Sequence, residues 1–164
     1  MSTGANQRHA PEGDEAALDR VSSAPWFLRG RSIPFRVDCS HDIPYLGGIA
    51  RDGRTVYVDR KAYPALVAQG VLPGLVEHER VEGILLRRGV RYSDAHRIAT
   101  AAENRVYAQL GMDAEKAQAV YPKLVRSAEY ETVTRCPKDL DLRPYSDPPA
   151  DDRRLARIRK AQGS

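Results

Sequence analysis

Residues 75–103 read LVEHERVEGILLRRGVRYSDAHRIATAAE. Apolar residues recur every three or four positions on both sides of Gly89, which is the period of an amphipathic helix. Glycine is common just past a helix end, and serine, here Ser93, is a preferred residue at a helix start. The stretch therefore predicts two helices, residues 75–88 and 94–110, that pack side by side as a hairpin.

Ionisable residues lie on the faces that these helices would bury. At about 100° per residue, Glu82 falls within about 40° of His78, in the middle of the apolar stripe. On the second helix, His96, Glu103 and Tyr107 fall on one face. Burying an ionisable group is costly unless another group pairs with it. We therefore expect the first pair to be buried and directed toward His96 or Glu103.

Three arrangements would account for these side chains: a network of buried ion pairs, a solvated cleft without chemistry, or a metal site. A metal ion fits the spacing, because side chains four residues apart, such as His78 and Glu82, lie on one face of a helix. Imidazole and carboxylate are ordinary zinc ligands. Glu79, next to the first ligand, would then stand beside a water molecule as its general base.

The pattern His78-Glu79-x-x-Glu82 resembles the HExxH helix of zincin metallopeptidases, with glutamate in place of the second histidine. In the gluzincin branch of that family, a glutamate from the following helix completes the site. Glu103, 21 positions after Glu82, matches that layout. The resemblance covers residues 43–110. It implies a zinc ion held by His78, Glu82 and Glu103, with Glu79 activating water for peptide hydrolysis.

The third ligand has two candidates. His96 and Glu103 are seven residues apart, so about 10 Å separates them along a helix, and one ion would not bind both. The register of an antiparallel hairpin favours Glu103. Zinc's preference for histidine favours His96. Both residues therefore stay in the predicted metal site, together with His78 and Glu82.

A β-hairpin is predicted before the helices. Arg51-Asp52-Gly53 separates two apolar runs, residues 43–50 and 54–59, and Asp-Gly between such runs is a hairpin signal. Residues 33–37 predict a further strand, and residues 113–127 predict a third helix that is interrupted or restarts near Pro122. The expected fold class is α+β, with a short antiparallel β-sheet packed on the helix hairpin, as in zincins.

The composition divides the chain into three parts. Residues 1–24 lack a sustained apolar period and predict a flexible leader. Residues 25–131 form the single predicted α+β domain. Residues 132–164 predict an extended strap, because prolines recur up to position 149, followed by a short basic helix over residues 151–160. This helix lacks a broad apolar face, so we expect a solvated tail whose deletion, over residues 151–164, leaves folding nearly intact.

Several classes of protein are excluded by composition. The chain has 164 residues and a formal net charge of +4, and it lacks the run of about 20 apolar residues that a membrane helix needs. We expect no secretory signal, because no apolar run follows a basic segment at the start. Two distant cysteines, Cys39 and Cys136, favour a reducing compartment, and hence the cytoplasm.

The leading interpretation is a zincin-like metal-dependent hydrolase, a peptidase that acts on a peptide or protein substrate with zinc as its cofactor. One alternative is an inactive protein whose His/Glu cluster forms a structural metal site or an ion-pair network. Another is a nucleic-acid-associated factor that binds phosphates through the basic tail, which contains Arg153, Arg154, Arg157, Arg159 and Lys160. The chain also resembles small uncharacterised proteins of bacterial and phage genomes.

Overall fold

Three short strands form one sheet in the computed structural model, which describes residues 35–129, 133–145 and 158–163. The strands are β1 (Arg36–Asp38), β2 (Gly47–Ile49) and β3 (Thr55–Val58), in the spatial order β1-β3-β2. The predicted leader, residues 1–24, lies outside the described residues.

The predicted hairpin is confirmed, with shorter strands than expected. β2 pairs antiparallel with β3, and Gly53 takes a φ of 71° in the turn between them. The expectation of a wholly antiparallel sheet is wrong, because β1 pairs parallel with β3 and the sheet is mixed. Strands joined by a tight turn must be antiparallel, whereas a long connection allows either direction. The connection from β1 to β3 is long and includes β2, so it permits the parallel pairing.

Five helices follow, and a 3₁₀ turn and a helical segment at residues 158–162 come after the gap at 130–132. They are α1 (Tyr63–Ala68), α2 (Leu72–Arg87), α3 (Tyr92–Gln109), α4 (Ala114–Gln118), α5 (Tyr121–Glu129) and the 3₁₀ turn Arg143–Tyr145.

The two central helices agree with the sequence pattern. Gly89 and Gly111 follow α2 and α3 with φ values of 79° and 69°, the left-handed conformation that favours glycine. Ser93 is not the N-cap: α3 begins at Tyr92, and an ion pair between Arg91 and Asp94 spans its first turn. α1 was not predicted, and the predicted third helix is divided into α4 and α5.

Close contacts at two glycines bring α2 against its neighbours. A Cβ atom at Gly83 would lie 2.6 Å from Cδ1 of Ile49, so the absent side chain lets α2 rest on β2. A Cβ atom at Gly74 would lie 2.3 Å from the ring of Tyr107, so α3 packs equally closely. A buried cluster that includes Leu66 and Val56 continues this core toward the sheet.

A second buried cluster involves the end of the chain. Leu140 forms an isolated bridge with Ala50 and packs with Tyr57 and Ile158, which is 0% exposed. The apolar side of the terminal helical segment therefore belongs to the core, whereas the sequence pattern predicted a solvated tail. Arg159 and Lys160 are exposed, and the other three basic residues of the predicted tail lie outside the described residues.

Within the described part of the chain, no helix combines the length and the apolar content needed to cross a bilayer. Cys39 and Cys136 are both free thiols.

Candidate metal centre

Three side chains from α2 and α3 converge on one point. Nε2 of His78 lies 3.2 Å from Nδ1 of His96 and 3.5 Å from Oε2 of Glu82. The same carboxylate oxygen lies 2.9 Å from Nδ1 of His96. His78 and Glu82 are buried, whereas the side chain of His96 is 49% exposed at the edge of the cluster.

The triangle of ligand atoms has the dimensions of one face of a zinc coordination sphere. Zinc binds nitrogen and oxygen at about 2.0–2.1 Å, which places neighbouring ligand atoms of a tetrahedron about 3.3–3.4 Å apart. The three observed separations are 2.9, 3.2 and 3.5 Å. His78, Glu82 and His96 could therefore hold a metal ion with little movement.

Hydrogen bonds can form along at most two of the three sides of this triangle. A carboxylate oxygen only accepts, and each imidazole nitrogen either donates or accepts a hydrogen bond. Whichever nitrogens carry a proton, one side of the triangle is left with two lone pairs or two protons facing each other. A cation would accept a lone pair from all three atoms at once, so the arrangement is compatible with a bound metal ion as well as with hydrogen bonding.

Glu103 lies on the other side of the His78 ring and not in the triangle. Nδ1 of His78 donates to Oε2 of Glu103 at 2.9 Å, and the hydroxyl of Tyr107 donates to Oε1 of Glu103, also at 2.9 Å. Tyr107 also contacts the hydroxyl of Tyr121 and the backbone carbonyl of Val71. A carboxylate in this position orients a ligating histidine and makes its other nitrogen more basic.

The ionisable groups of the cluster shift one another's pKa values. Burial lowers the pKa of His78, but the hydrogen bonds to Glu103 and Glu82 outweigh it and raise the pKa to about 10. Burial raises the pKa of Glu82, but hydrogen bonds from His78 and His96 bring it below its ordinary value. Glu103 follows the same pattern, because hydrogen bonds from His78 and Tyr121 lower its pKa more than burial raises it.

Glu79 lies on the same wall as the triangle, against the edge strand of the sheet. A Cβ atom at Gly47 of β2 would lie 2.6 Å from Oε1 of Glu79, so a side chain at this position would displace the carboxylate. Burial, followed by the charge of Glu82, raises the pKa of Glu79 to about 8. Its basicity therefore suits proton transfer near neutral pH.

The three residues of the triangle, Glu79 and Glu103 line one cavity of ≈ 690 Å³. The loop before β2 also contributes to the lining. In that loop, Tyr45 and Leu46 have φ values of 70° and 92°, the left-handed conformation that non-glycine residues seldom adopt. Strained backbone of this kind is concentrated at functional sites.

Of the five residues named from the sequence pattern, Glu82, His96 and Glu103 lie around the imidazole of His78. They divide between its two nitrogens: Glu82 and His96 face Nε2, and Glu103 faces Nδ1. The pattern missed Tyr121, which supports Glu103, and Gly47, which admits Glu79. Neither had a recognisable signal, since each matters only through a contact between distant parts of the chain.

Comparison of the chain with protein-family models, curated proteins and solved structures gives no match. The function must therefore be inferred from the geometry of the cavity and its chemistry.

Proposed function

We propose that this protein is a metal-dependent hydrolase, with a peptide or another amide as its substrate and zinc as its metal. The observation that carries the proposal is the triangle of Nε2 of His78, Oε2 of Glu82 and Nδ1 of His96 beside a cavity. Two histidines and one glutamate are a ligand set of catalytic zinc sites, which leave a fourth position for water or substrate.

The side chains around the triangle have distinct roles in this proposal. His78, Glu82 and His96 hold the cation, and Glu103 fixes the orientation and tautomer of His78. Glu79 accepts a proton from the attacking water and later transfers it to the leaving amine. When bound, a divalent cation supplies a Lewis acid that polarises the substrate carbonyl and makes the water easier to deprotonate.

The position of β2 beside the cavity favours a peptide as the substrate. β2 lies at one end of the strand order. Residues 139–141 cover its outer side near Ile49, where the backbone N–H of Asp141 donates to the Ile49 carbonyl at 2.8 Å and Leu140 bridges Ala50. Gly47, at the start of β2, lines the cavity next to Glu79. An extended peptide bound next to Gly47 would place its backbone carbonyl beside the catalytic side chains.

Cleavage of a peptide library by zinc-loaded protein tests the proposal. We expect Glu79→Gln to keep the fold and the metal and to lose about 10²–10⁴-fold in turnover, because an amide is not a base. The matched control is Glu77→Gln on the same helix, since Glu77 pairs with Arg80 and does not line the cavity. Absence of cleavage by the wild type would reject the hydrolase function, and equal cleavage by wild type and Glu79→Gln would exclude Glu79 as the base.

A second candidate function is a structural ion-pair network without catalysis. The observation in its favour is that, within the described residues, every buried side-chain nitrogen and oxygen has a hydrogen-bond partner. Under this alternative, zinc and a chelator leave the thermal unfolding curve unchanged. A rise in melting temperature with zinc, lost in His78→Ala, would reject it.

A further inference from the structure

We infer that a second cavity, lined by Arg51, Arg87 and Arg143, binds the phosphate group of a small phosphomonoester. Its volume is ≈ 620 Å³, and no described residue lines both this cavity and the one that contains the triangle. The inference therefore goes beyond the proposed hydrolase and needs no metal ion. It rests on the charges, positions and hydrogen-bond partners of the three arginines.

The three arginines come from distant parts of the chain. Arg51 lies in the turn between β2 and β3, Arg87 is the last residue of α2, and Arg143 begins the 3₁₀ turn. Asp141 is the one carboxylate among the described lining residues, so their net formal charge is +2. The second pKa of a phosphomonoester is about 6, so at neutral pH it is mainly a dianion, and its charge complements that of the cavity.

The carboxylate of Asp141 is engaged by Arg143. Nε of Arg143 donates to the two oxygens of Asp141 at 2.9 and 3.0 Å, and Nη2 donates to Oδ2. Nη1 of the same guanidinium donates to the backbone carbonyl of Leu86 at 2.8 Å. These bonds fix the Arg143 guanidinium at the cavity, and the buried Asp141 accepts no hydrogen bond from Arg51 or Arg87 among the described contacts.

The Arg87 guanidinium forms no hydrogen bond or ion pair with the described residues, although it lies near a second cation. Burial, followed by the charge of Arg143, lowers the pKa of Arg87 more than the charges of Asp141 and Asp52 raise it. A Cβ atom at Gly53 would overlap this guanidinium, so glycine lets it lie against the turn. A phosphate dianion that accepts hydrogen bonds from both arginines would offset their repulsion.

The third arginine also has donors for a ligand. Nη2 of Arg51 donates to the backbone carbonyl of Lys138 at 2.6 Å, and a guanidinium has five N–H groups. The planar fork of a guanidinium matches the oxygens of a phosphate, often through two parallel hydrogen bonds. The cavity is much larger than a phosphate ion and falls in the range of small-molecule sites, so it has space for the organic part of an ester.

Phenyl phosphate and phenyl sulfate are a matched pair of probes for this cavity. They have nearly the same shape, but at pH 8 the phosphate carries two negative charges and the sulfate carries one. Binding is measured by calorimetry on chelator-treated protein, so that neither probe binds through a metal ion. We expect the wild type to bind phenyl phosphate about tenfold more tightly than phenyl sulfate, and both probes to bind less tightly at high salt.

Substitution of single arginines locates the binding. Arg51→Gln and Arg87→Gln should each raise the dissociation constant of phenyl phosphate about tenfold or more, because each removes hydrogen bonds to a charged group. Both positions are exposed, so the variants should fold, and an unchanged melting temperature without ligand verifies this. Arg88→Gln is the matched control, because Arg88 is the adjacent exposed arginine and does not line the cavity.

Two further probes define the chemical class of the ligand. Inorganic phosphate should bind more weakly than phenyl phosphate, because it lacks a group that fills the rest of the cavity. The reverse order would assign the cavity to free phosphate and overturn the ester. Methyl phenyl phosphate, a monoanionic diester like the links of a nucleic acid, should also bind more weakly, and tighter binding of this diester would reject a monoester.

Three other results would overturn the inference. They are the absence of phenyl phosphate binding, equal binding of phenyl sulfate, and the same loss of affinity in Arg88→Gln as in Arg87→Gln. Loss of binding in His78→Ala with retention in Arg87→Gln would place the phosphate in the other cavity and would also reject it. All of these measurements use protein without metal, so they leave the test of the hydrolase separate.

Discussion

Nδ1 of His78 and Oε2 of Glu103 lie 2.9 Å apart, on the side of the imidazole ring opposite to Glu82 and His96. This relationship assigns the two candidate ligands of α3 to different positions. His96 completes the triangle, whereas Glu103 accepts a hydrogen bond from Nδ1 of His78. The second carboxylate oxygen of Glu103 accepts a hydrogen bond from the hydroxyl of Tyr107. The site therefore differs from the gluzincin layout, in which the glutamate of the following helix would bind the metal itself.

Loss of the Glu103 charge should weaken zinc binding without abolishing it. We expect Glu103→Gln to raise the dissociation constant about 10–100-fold, as substitutions of such supporting carboxylates do. Competition with a chromophoric chelator measures the constant, and Glu115→Gln, at an exposed position on α4, is the control. Complete loss of binding in Glu103→Gln, together with retention in His96→Ala, would identify Glu103 as the third ligand instead.

Zinc should stabilise the folded protein through the two histidines. The folded state alone brings the ligand atoms together, so zinc raises the melting temperature by mass action. His78→Ala and His96→Ala should each remove most of that rise. His41→Ala should keep it, because His41 contacts Asp38 and does not line the cavity. An equal rise in all three variants would show that zinc binds elsewhere.

Glu79→Gln should stabilise the metal-free protein at alkaline pH. The folded state raises the pKa of Glu79 from 4.5 to about 8, so it favours the protonated form. The charged form of Glu79 therefore lowers the free energy of unfolding. This loss is absent below pH 4.5, grows between pH 4.5 and 8, and is complete above pH 8. A glutamine is neutral throughout, so we expect a gain of about 1–2 kcal/mol at pH 8.5 and little change at pH 4.

Denaturation in the presence of a chelator at both pH values measures this difference. The control is Glu77→Gln, because the carboxylate of Glu77 is paired with Arg80. A loss of stability in Glu79→Gln at pH 8.5 would contradict the prediction.

A methyl group at Gly83 should disturb the contact between α2 and the sheet. Alanine favours a helix by about 1 kcal/mol over glycine, yet its Cβ would lie 2.6 Å from Cδ1 of Ile49. We expect Gly83→Ala to cost about 1–3 kcal/mol of unfolding free energy. Ile49→Ala removes both Cδ1 and Cγ2, which would lie 2.6 and 2.7 Å from the new Cβ, so the double variant should lose less than the sum of the single variants in chemical denaturation. Strict additivity would show that the two side chains do not meet.

The end of the chain should contribute to stability. Ile158 is fully buried with Leu140 and Tyr57, so Ile158→Ala should cost about 2–4 kcal/mol. Arg159→Ala, at the adjacent exposed position, should change the unfolding free energy by less than about 0.5 kcal/mol. Equal denaturation midpoints for Ile158→Ala and the wild type would restore the sequence-based interpretation of a tail that does not support the domain.

Local sequence patterns were sufficient to predict the two central helices and the β-hairpin. The apolar period, Gly89 and Gly111 define two helices within a few residues, because helix formation and termination depend on neighbours along the chain. Asp52-Gly53 locates the turn between β2 and β3 for the same reason. The parallel pairing of β1 had no such signal, since strand direction across a long connection depends on the packing of the whole sheet.

By itself, the sequence determined that His78 and Glu82 lie on the buried face of one helix and that His96 and Glu103 lie on the matching face of the next. Helical periodicity sets the direction of each side chain from its own position. Only the tertiary structure decided which nitrogen of His78 each partner meets, because that depends on the relative rotation and offset of the two helices. Gly74, against the ring of Tyr107, sets how closely they approach, and a contact between residues so far apart in sequence leaves no local pattern.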